Sequence, residues 1–330
     1  MPVPDSWAAR RGESFGCWFV EKSKKNQLGE WLAKVQRVGV LILTWPRYSV
    51  YCRAFLGSPY AEAAASTGLL HVYLRKFTAP YLSRDFSGSV RLLQLDHHYR
   101  FMNAHFPRGL FEQLHHGAIP FATHAEDAQK SEFRLDLPVR TQVDGSSCWE
   151  GDLILEYWFQ ERLLHRMTFS VVSSSPFDGR DDSVLFIGGS QSYGDRELRR
   201  EASLFNRQIN SATATLIAVK AIAEAFDIPR IYAIKTKNQI TLHLRPGDPG
   251  SAYEDFWSTN YGEDRGSFFE LPLQASPERD SPVSGSHGSR TRRKRLDRQR
   301  LKDFVEAEFR GLIGKPKPEL LVSEDTDSAG

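Results

Sequence analysis

The chain has 330 residues, 40% of them apolar and 25% charged, which excludes a disordered or fibrous class and leaves one large α/β domain with appendages, or two domains sharing an interface. Lysine and arginine exceed aspartate and glutamate by only 43 to 41, so no global charge argues for nucleic acid or an anionic membrane, and any such case has to be local. Cys17, Cys52 and Cys148 are an odd number set far apart without a CxxC pair, which argues against a disulfide framework and against structural zinc.

The first residues, Met-Pro-Val-Pro-Asp-Ser-Trp, show neither a basic start nor an apolar run, so the expected location is cytoplasmic. The apolar run at 38–43 is broken by Thr44, Pro46 and Arg47, far short of the roughly 20 residues of a membrane span. Residues 1–28 are weakly periodic and are expected to form a weakly ordered leader.

A helical N-terminal region is expected over 29–130. Within it Leu92, Leu95, Tyr99 and Met102 recur at three and four residues, which places them on one helical face, and Pro107 stops the helix. A mixed α/β core follows over 131–274. There Phe133, Leu135 and Leu137 alternate with charged residues, and Leu153, Leu155 and Tyr157 face Met167, Phe169 and Val171 across a turn at Gln160-Glu161-Arg162. The apolar run 184–187 reads as a buried strand ending in a turn at Gly188-Gly189. Ile209, Ala212, Leu216, Val219, Ala223 and Phe226 then mark one long amphipathic helix that Pro229 closes, and 231–234 is the next strand. Strand, helix and strand in this order predict a parallel pair joined by a crossover. The Ser/Pro/Gly-rich stretch 275–289 reads as a flexible loop, 290–315 as a basic C-terminal helix, and 316–330 as a disordered acidic tail. The fold class is therefore α/β in the α+β sense: a helical N-terminal region, then a mixed sheet with a long crossover helix.

Several ordered islands resemble the VirK/YbjX family of bacterial proteins: Pro80-Tyr81-Leu82, then Arg91-Leu-Leu-Gln-Leu-Asp-His-His-Tyr99, Glu150-Gly-Asp-Leu-Ile-Leu-Glu156 with Thr168-Phe169, Leu185-Phe-Ile-Gly-Gly-Ser-Gln191, and Tyr253-Glu-Asp-Phe-Trp257 ahead of Leu271-Pro-Leu273. Before the long helix the chain departs from the family pattern, with Phe205-Asn-Arg-Gln-Ile-Asn210. The resemblance implies a link to virulence and antimicrobial-peptide resistance in enteric bacteria, without an agreed chemistry. The order of elements in the core is also similar, in topology only, to GNAT-type acyltransferases, although no RxxGxG loop is present. That likeness implies an acyl-CoA or another phosphate-bearing donor held near the start of the long helix, with Arg207 and Asn210 beside it.

The candidate site residues follow. Gly188, Gly189, Ser190 and Gln191 could let backbone N–H groups approach a ligand, the plain alternative being a tight turn. Of the histidines at positions 97, 98, 105, 115, 116 and 124, none forms an HxxxH or HExxH pair, so no metal site is expected, and His98 is the candidate base against a buried structural role. Tyr253, Phe256 and Trp257 share a helical face, either as core or as an aromatic wall in which Tyr253 assists proton transfer and Trp257 lines the ligand. The basic run 290–300 holds no aromatic residue, so specific nucleic-acid binding is not expected, while peripheral contact with a phosphate-rich surface is open. Two function classes remain: an acyl or aminoacyl transferase acting on a small-molecule or peptide substrate in envelope modification, and a non-enzymatic interaction or regulatory protein of the envelope-stress and virulence response.

Overall fold

The computed structural model describes residues 49–77, 80–126, 128–140, 149–240, 252–274 and 286–315. The expected leader 1–28, most of the loop 275–289 and the tail 316–330 lie outside the described residues, as do Cys17 and Cys148. After a helical stretch that ends at residue 56, four helices lead into the sheet: α1 (Pro59–Ser66), α2 (Leu70–Lys76), α3 (Gly88–His105) and α4 (Arg108–His116). Ser58 and Ser87 cap α1 and α3 by accepting the N–H of Ala61 and Val90. Leu92, Leu95, Tyr99 and Met102 form the buried face of α3, as their spacing predicts.

The sheet follows: β1 (Ile119–Glu126), β2 (Gln129–Asp136), β3 (Leu153–Phe159), β4 (Arg162–Ser173), β5 (Ser183–Ser192), β6 (Ile231–Ile234), β7 (Glu263–Asp264) and β8 (Phe268–Leu271). Their spatial order is β1-β2-β3-β4-β5-β6-β8-β7. Every pairing is antiparallel except β5 with β6, which is the expected parallel pair. β1 falls inside the stretch read as helical, because it is an edge strand with five of its eight positions exposed and a register shift at Pro120/Ala122 that hides period two. The β3–β4 hairpin turns at Gln160 and Glu161, both at positive φ (47° and 61°), the left-handed pair a two-residue hairpin requires.

Between β5 and β6 run α5 (Arg196–Phe205) and the long helix α6 (Ser211–Ala225), and a short helical turn at Ser175–Asp178 precedes β5. Twelve of the fifteen α6 residues are buried, because the helix packs on β3, β4 and β5 with one side and is covered by α8 (Ser286–Leu312) on the other. α7 (Ala252–Thr259) connects β6 to the last hairpin.

β4 outlasts β3: the last paired residues are Leu153 and Phe169, leaving 170–173 without a strand on that side. Side chains of α3 take over. The Gln94 amide donates to the Ser173 carbonyl (3.0 Å) and accepts from the Ser173 N–H (2.7 Å), while one turn on, His98 Nδ1 accepts the Val171 N–H (3.2 Å). A buried strand edge is thereby satisfied without a strand.

Candidate functional site at the open end of the parallel pair

β5 and β6 pair over only three positions, Leu185–Ile231, Phe186–Tyr232 and Ile187–Ala233. β5 then runs on to Ser192 while β6 turns away into a short 3-10 turn at Thr236–Asn238, so the two strands part. α7 holds the opening from one helical face. Tyr253 serves β5: its hydroxyl accepts the Ser190 N–H (2.9 Å) and donates to the Ser190 carbonyl (2.6 Å). Trp257, one turn along and fully buried, serves β6 by donating Nε1–H to the Ile234 carbonyl (3.0 Å). The three-four aromatic spacing thus places Tyr253 and Trp257 on the two diverging strands.

Gly188 and Gly189 are inside β5, not in a turn after it, and neither has a positive φ. The expected strand-end turn is corrected. Leu153 starts β3, and the residues just before it cross over β4 to reach β5. A Cβ on Gly151 would stand 2.7 Å from the Phe169 carbonyl oxygen, a Cβ on Gly188 would fall inside contact with the Glu150 carbonyl, and one on Gly189 would meet the Glu150 carboxylate. The glycines are therefore explained by a backbone crossing, and the β4–β5 register shift at Thr168/Phe169 absorbs the extra residue. The crossing delivers Glu150, only 1% exposed, to the mouth, where its Oε1 accepts from the Gln239 amide (2.9 Å), which also donates to the Tyr253 hydroxyl (3.1 Å).

His165 on β4 lies opposite Ser192 and holds the two serines at the far end of β5, with Nε2 3.1 Å from Ser190 Oγ and Nδ1 3.1 Å from Ser192 Oγ. On the other face of the sheet one row crosses four strands, Arg134 opposite Glu156, Glu156 opposite Arg166, Arg166 opposite Gln191. Arg166 donates through Nε (3.1 Å) and Nη2 (2.7 Å) to Glu156 Oε1, and Trp158 donates to Oε2 (2.8 Å) while the Arg134 guanidinium stacks 4.0 Å from its ring centroid. The mouth is thus flanked by a polar, half-buried band that includes Gln191.

The other expected residues lie elsewhere. His98 is fully buried, and its Nδ1 is committed to β4, which fixes the proton on Nε2; that atom finds no acceptor among the described residues. Arg207 pairs with Asp297 of α8 (3.0 Å), and Asn210 caps α6 by accepting the Thr213 N–H (2.8 Å). Glu150, Gln239 and His165 escaped sequence reasoning, although Glu150 opens one of the quoted islands. The histidines do not gather: His97 meets Ser183 and His115 meets Tyr73 and the Phe111 carbonyl. Among the described residues no group of three or more His, Cys, Asp or Glu could hold a metal ion, and no helix is long and apolar enough to cross a membrane. An open groove of about 910 Å³ runs between α1, α4 and the start of β1, lined in part by Glu62, Arg108 and His116; none of the mouth residues lines it.

Two buried imidazoles make stability depend on pH. Burial lowers His98 to about 4 and His165 to about 3, from the usual 6.5. The unfolded chain then binds protons the folded chain does not, so stability is full above pH 6.5 and falls as the pH drops toward 4, by about 1.4 kcal/mol per unit for each imidazole. Asp136 opposes one of them, since burial raises it to about 6 and the folded state takes its proton first between pH 6 and 3.8. The urea-unfolding free energy is expected to fall between pH 6.5 and 4, and in His98→Asn/His165→Asn that fall should give way to the opposite, Asp136-driven rise toward low pH, which assigns the slope.

No curated protein matches the chain. Among solved structures, a point mutant of a cAMP-binding acyltransferase from Mycobacterium smegmatis is similar at 10% identity over 65% of this chain, with a TM-score of 0.27. The chain spans 60% of that protein's length, and so loose a likeness carries no argument here. The family model described as "Protein of unknown function (DUF535)" matches residues 70–283, well over half of the chain and across the quoted islands from Pro80 to Leu273, and the chain belongs to that family.

Proposed function

We propose that the chain is an acyl or aminoacyl transferase whose donor lies along the edge of β5 left open by β6. One observation carries the reading: past the last β5–β6 pair at Ile187, the Ser190 backbone of β5 is met by the Tyr253 hydroxyl rather than by a strand. An extended, amide-bearing chain such as the arm of an acyl-CoA has the donors and acceptors to take that place by strand-like pairing. The reaction balances with the groups at the mouth. An acceptor amine attacks the thioester carbonyl carbon, the C–N bond forms and the C–S bond breaks, Glu150 takes the amine proton, and Tyr253 returns one to the leaving thiolate. An amine is the acceptor class, carried by an envelope component in the reading the family resemblance implies. Gln239, bonded to both Glu150 and Tyr253, positions the pair.

Thermal-shift titration with short- and long-chain acyl-CoAs, free coenzyme A and ATP tests this reading. Stabilisation by acyl-CoA of about 2.7 kcal/mol at a hundredfold excess over Kd is expected. No stabilisation by any acyl-CoA at millimolar concentration contradicts it.

A further inference from the structure

The near-neutral total charge conceals one strongly basic surface, distant in chemistry from the mouth. The salt bridge from Arg207 to Asp297 joins the end of α5 to α8. Along the two helices and the loop it joins, Arg196, Arg199, Arg200, Arg207, Arg292, Arg293, Lys294, Arg295, Arg298 and Arg300 are all exposed. Against these ten cations stand Asp195, Glu197, Glu201 and Asp297, so the surface carries +6 and the rest of the chain −4, within a total of +2. Residues 292–296 are exposed without a break, which is more than one turn, so this part of α8 carries charge around its whole circumference. Its helix is sustained by the docked half, where Lys302 pairs with Glu224 (2.7 Å) and Phe309 packs on Phe226. The Lys220 ammonium nearby is lowered to about 8, first by burial and then by the positive charges of Lys302 and Arg298.

Two large apolar side chains stand in this basic field. Leu204 is 61% exposed and Leu296 49%; in sequence Leu204 precedes Arg207 of the bridge by three residues and Leu296 adjoins Asp297. Phosphates alone leave such leucines in water, whereas an anionic bilayer takes both the charges and the apolar tips. The exposed run also lacks any aromatic side chain on which bases could stack. We infer that α5 and the exposed residues 292–300 of α8 form a docking surface for an anionic lipid bilayer, with the arginines at the headgroups and Leu204 and Leu296 inserted between them.

Vesicle co-sedimentation of the full chain tests the inference, using phosphatidylcholine alone and phosphatidylcholine with phosphatidylglycerol in equal parts. Binding to the mixed vesicles only, weakened by salt, is expected. Reversing Arg292→Glu, Arg293→Glu and Lys294→Glu together should lower partitioning by about a hundredfold or more. Leu204→Asn with Leu296→Asn should lower it by about tenfold at unchanged charge. The exposed positions should leave the melting temperature of both variants unaltered. Absence of binding to the mixed vesicles at low salt overturns the inference, as does equal binding to neutral ones. Binding that ignores the leucine pair and is competed away by a short RNA duplex also overturns it, making the surface one for nucleic acid.

Discussion

Asp152→Ala is expected to cost about 3–5 kcal/mol of stability, the usual consequence of leaving a buried charge without its partner. Lys76 and Asp152 are both fully buried, with Nζ 2.6 Å from Oδ1 and a second contact from Nζ to the Gly151 carbonyl at 3.2 Å. Tyr99 donates to Oδ1 (3.1 Å), Tyr81 donates to Oδ2, and Ser170 Oγ meets both Tyr81 and the Asp152 N–H. Burial alone would raise the Asp152 carboxyl, but the Lys76 ammonium beside it turns the shift downward, so the carboxylate is ionised in the fold. Alanine removes the acceptor for an ammonium and two phenols at once. Lys76→Met is expected to cost less, since the phenols still serve the carboxylate, and Lys76→Met with Asp152→Asn less than Asp152→Ala, because the amide oxygen still accepts from the phenols. Urea midpoints at pH 7 rank the three, and a double variant no better than Asp152→Ala refutes the assignment of the loss to an uncompensated charge.

The second large effect separates two adjacent glycines. A Cβ at either position overpacks the crossing, at about 1–3 kcal/mol or more. At Gly188 the obstacle is the Glu150 backbone, which cannot move without unseating the crossing; at Gly189 it is mainly the end of the Glu150 side chain. Glu150→Ala should therefore rescue Gly189→Ala and leave Gly188→Ala unrescued. Denaturation of the four variants with the Glu150→Ala reference decides it. Equal rescue at both positions means that the carboxylate, not the backbone, fills the space above β5.

Periodicity made much of this fold legible before any coordinates. The α3 face, the β3–β4 hairpin, the α6 crossover and the parallel pair all follow from local spacing, because each buries a regular stripe. Helix α5 was passed over, although Asp195 accepts the Leu198 N–H as a cap (2.8 Å) and Leu198 and Ala202 are its buried positions. What could not be read locally is the mouth. Glu150 and Gln239 are 89 residues apart, and Tyr253 and Ser190 are 63 apart; such contacts leave no periodic trace. Gly188-Gly189 looked like a turn since glycine usually punctuates, and only the crossing of 150–152 explains glycine inside a strand. His98 has the residue type of a base, while its place on the β4 edge depends on β3 beginning only opposite Phe169, four residues short of the end of β4.

Hydrogen exchange with and without an acyl-CoA at saturating concentration tests the central claim most directly. A donor lying on β5 is predicted to slow exchange at 188–192 and to alter it at Ala252–Thr259, where Tyr253 gives up the Ser190 backbone. Protection confined to other segments, such as the α1–α4 groove, or none at all, would contradict the assignment of the site.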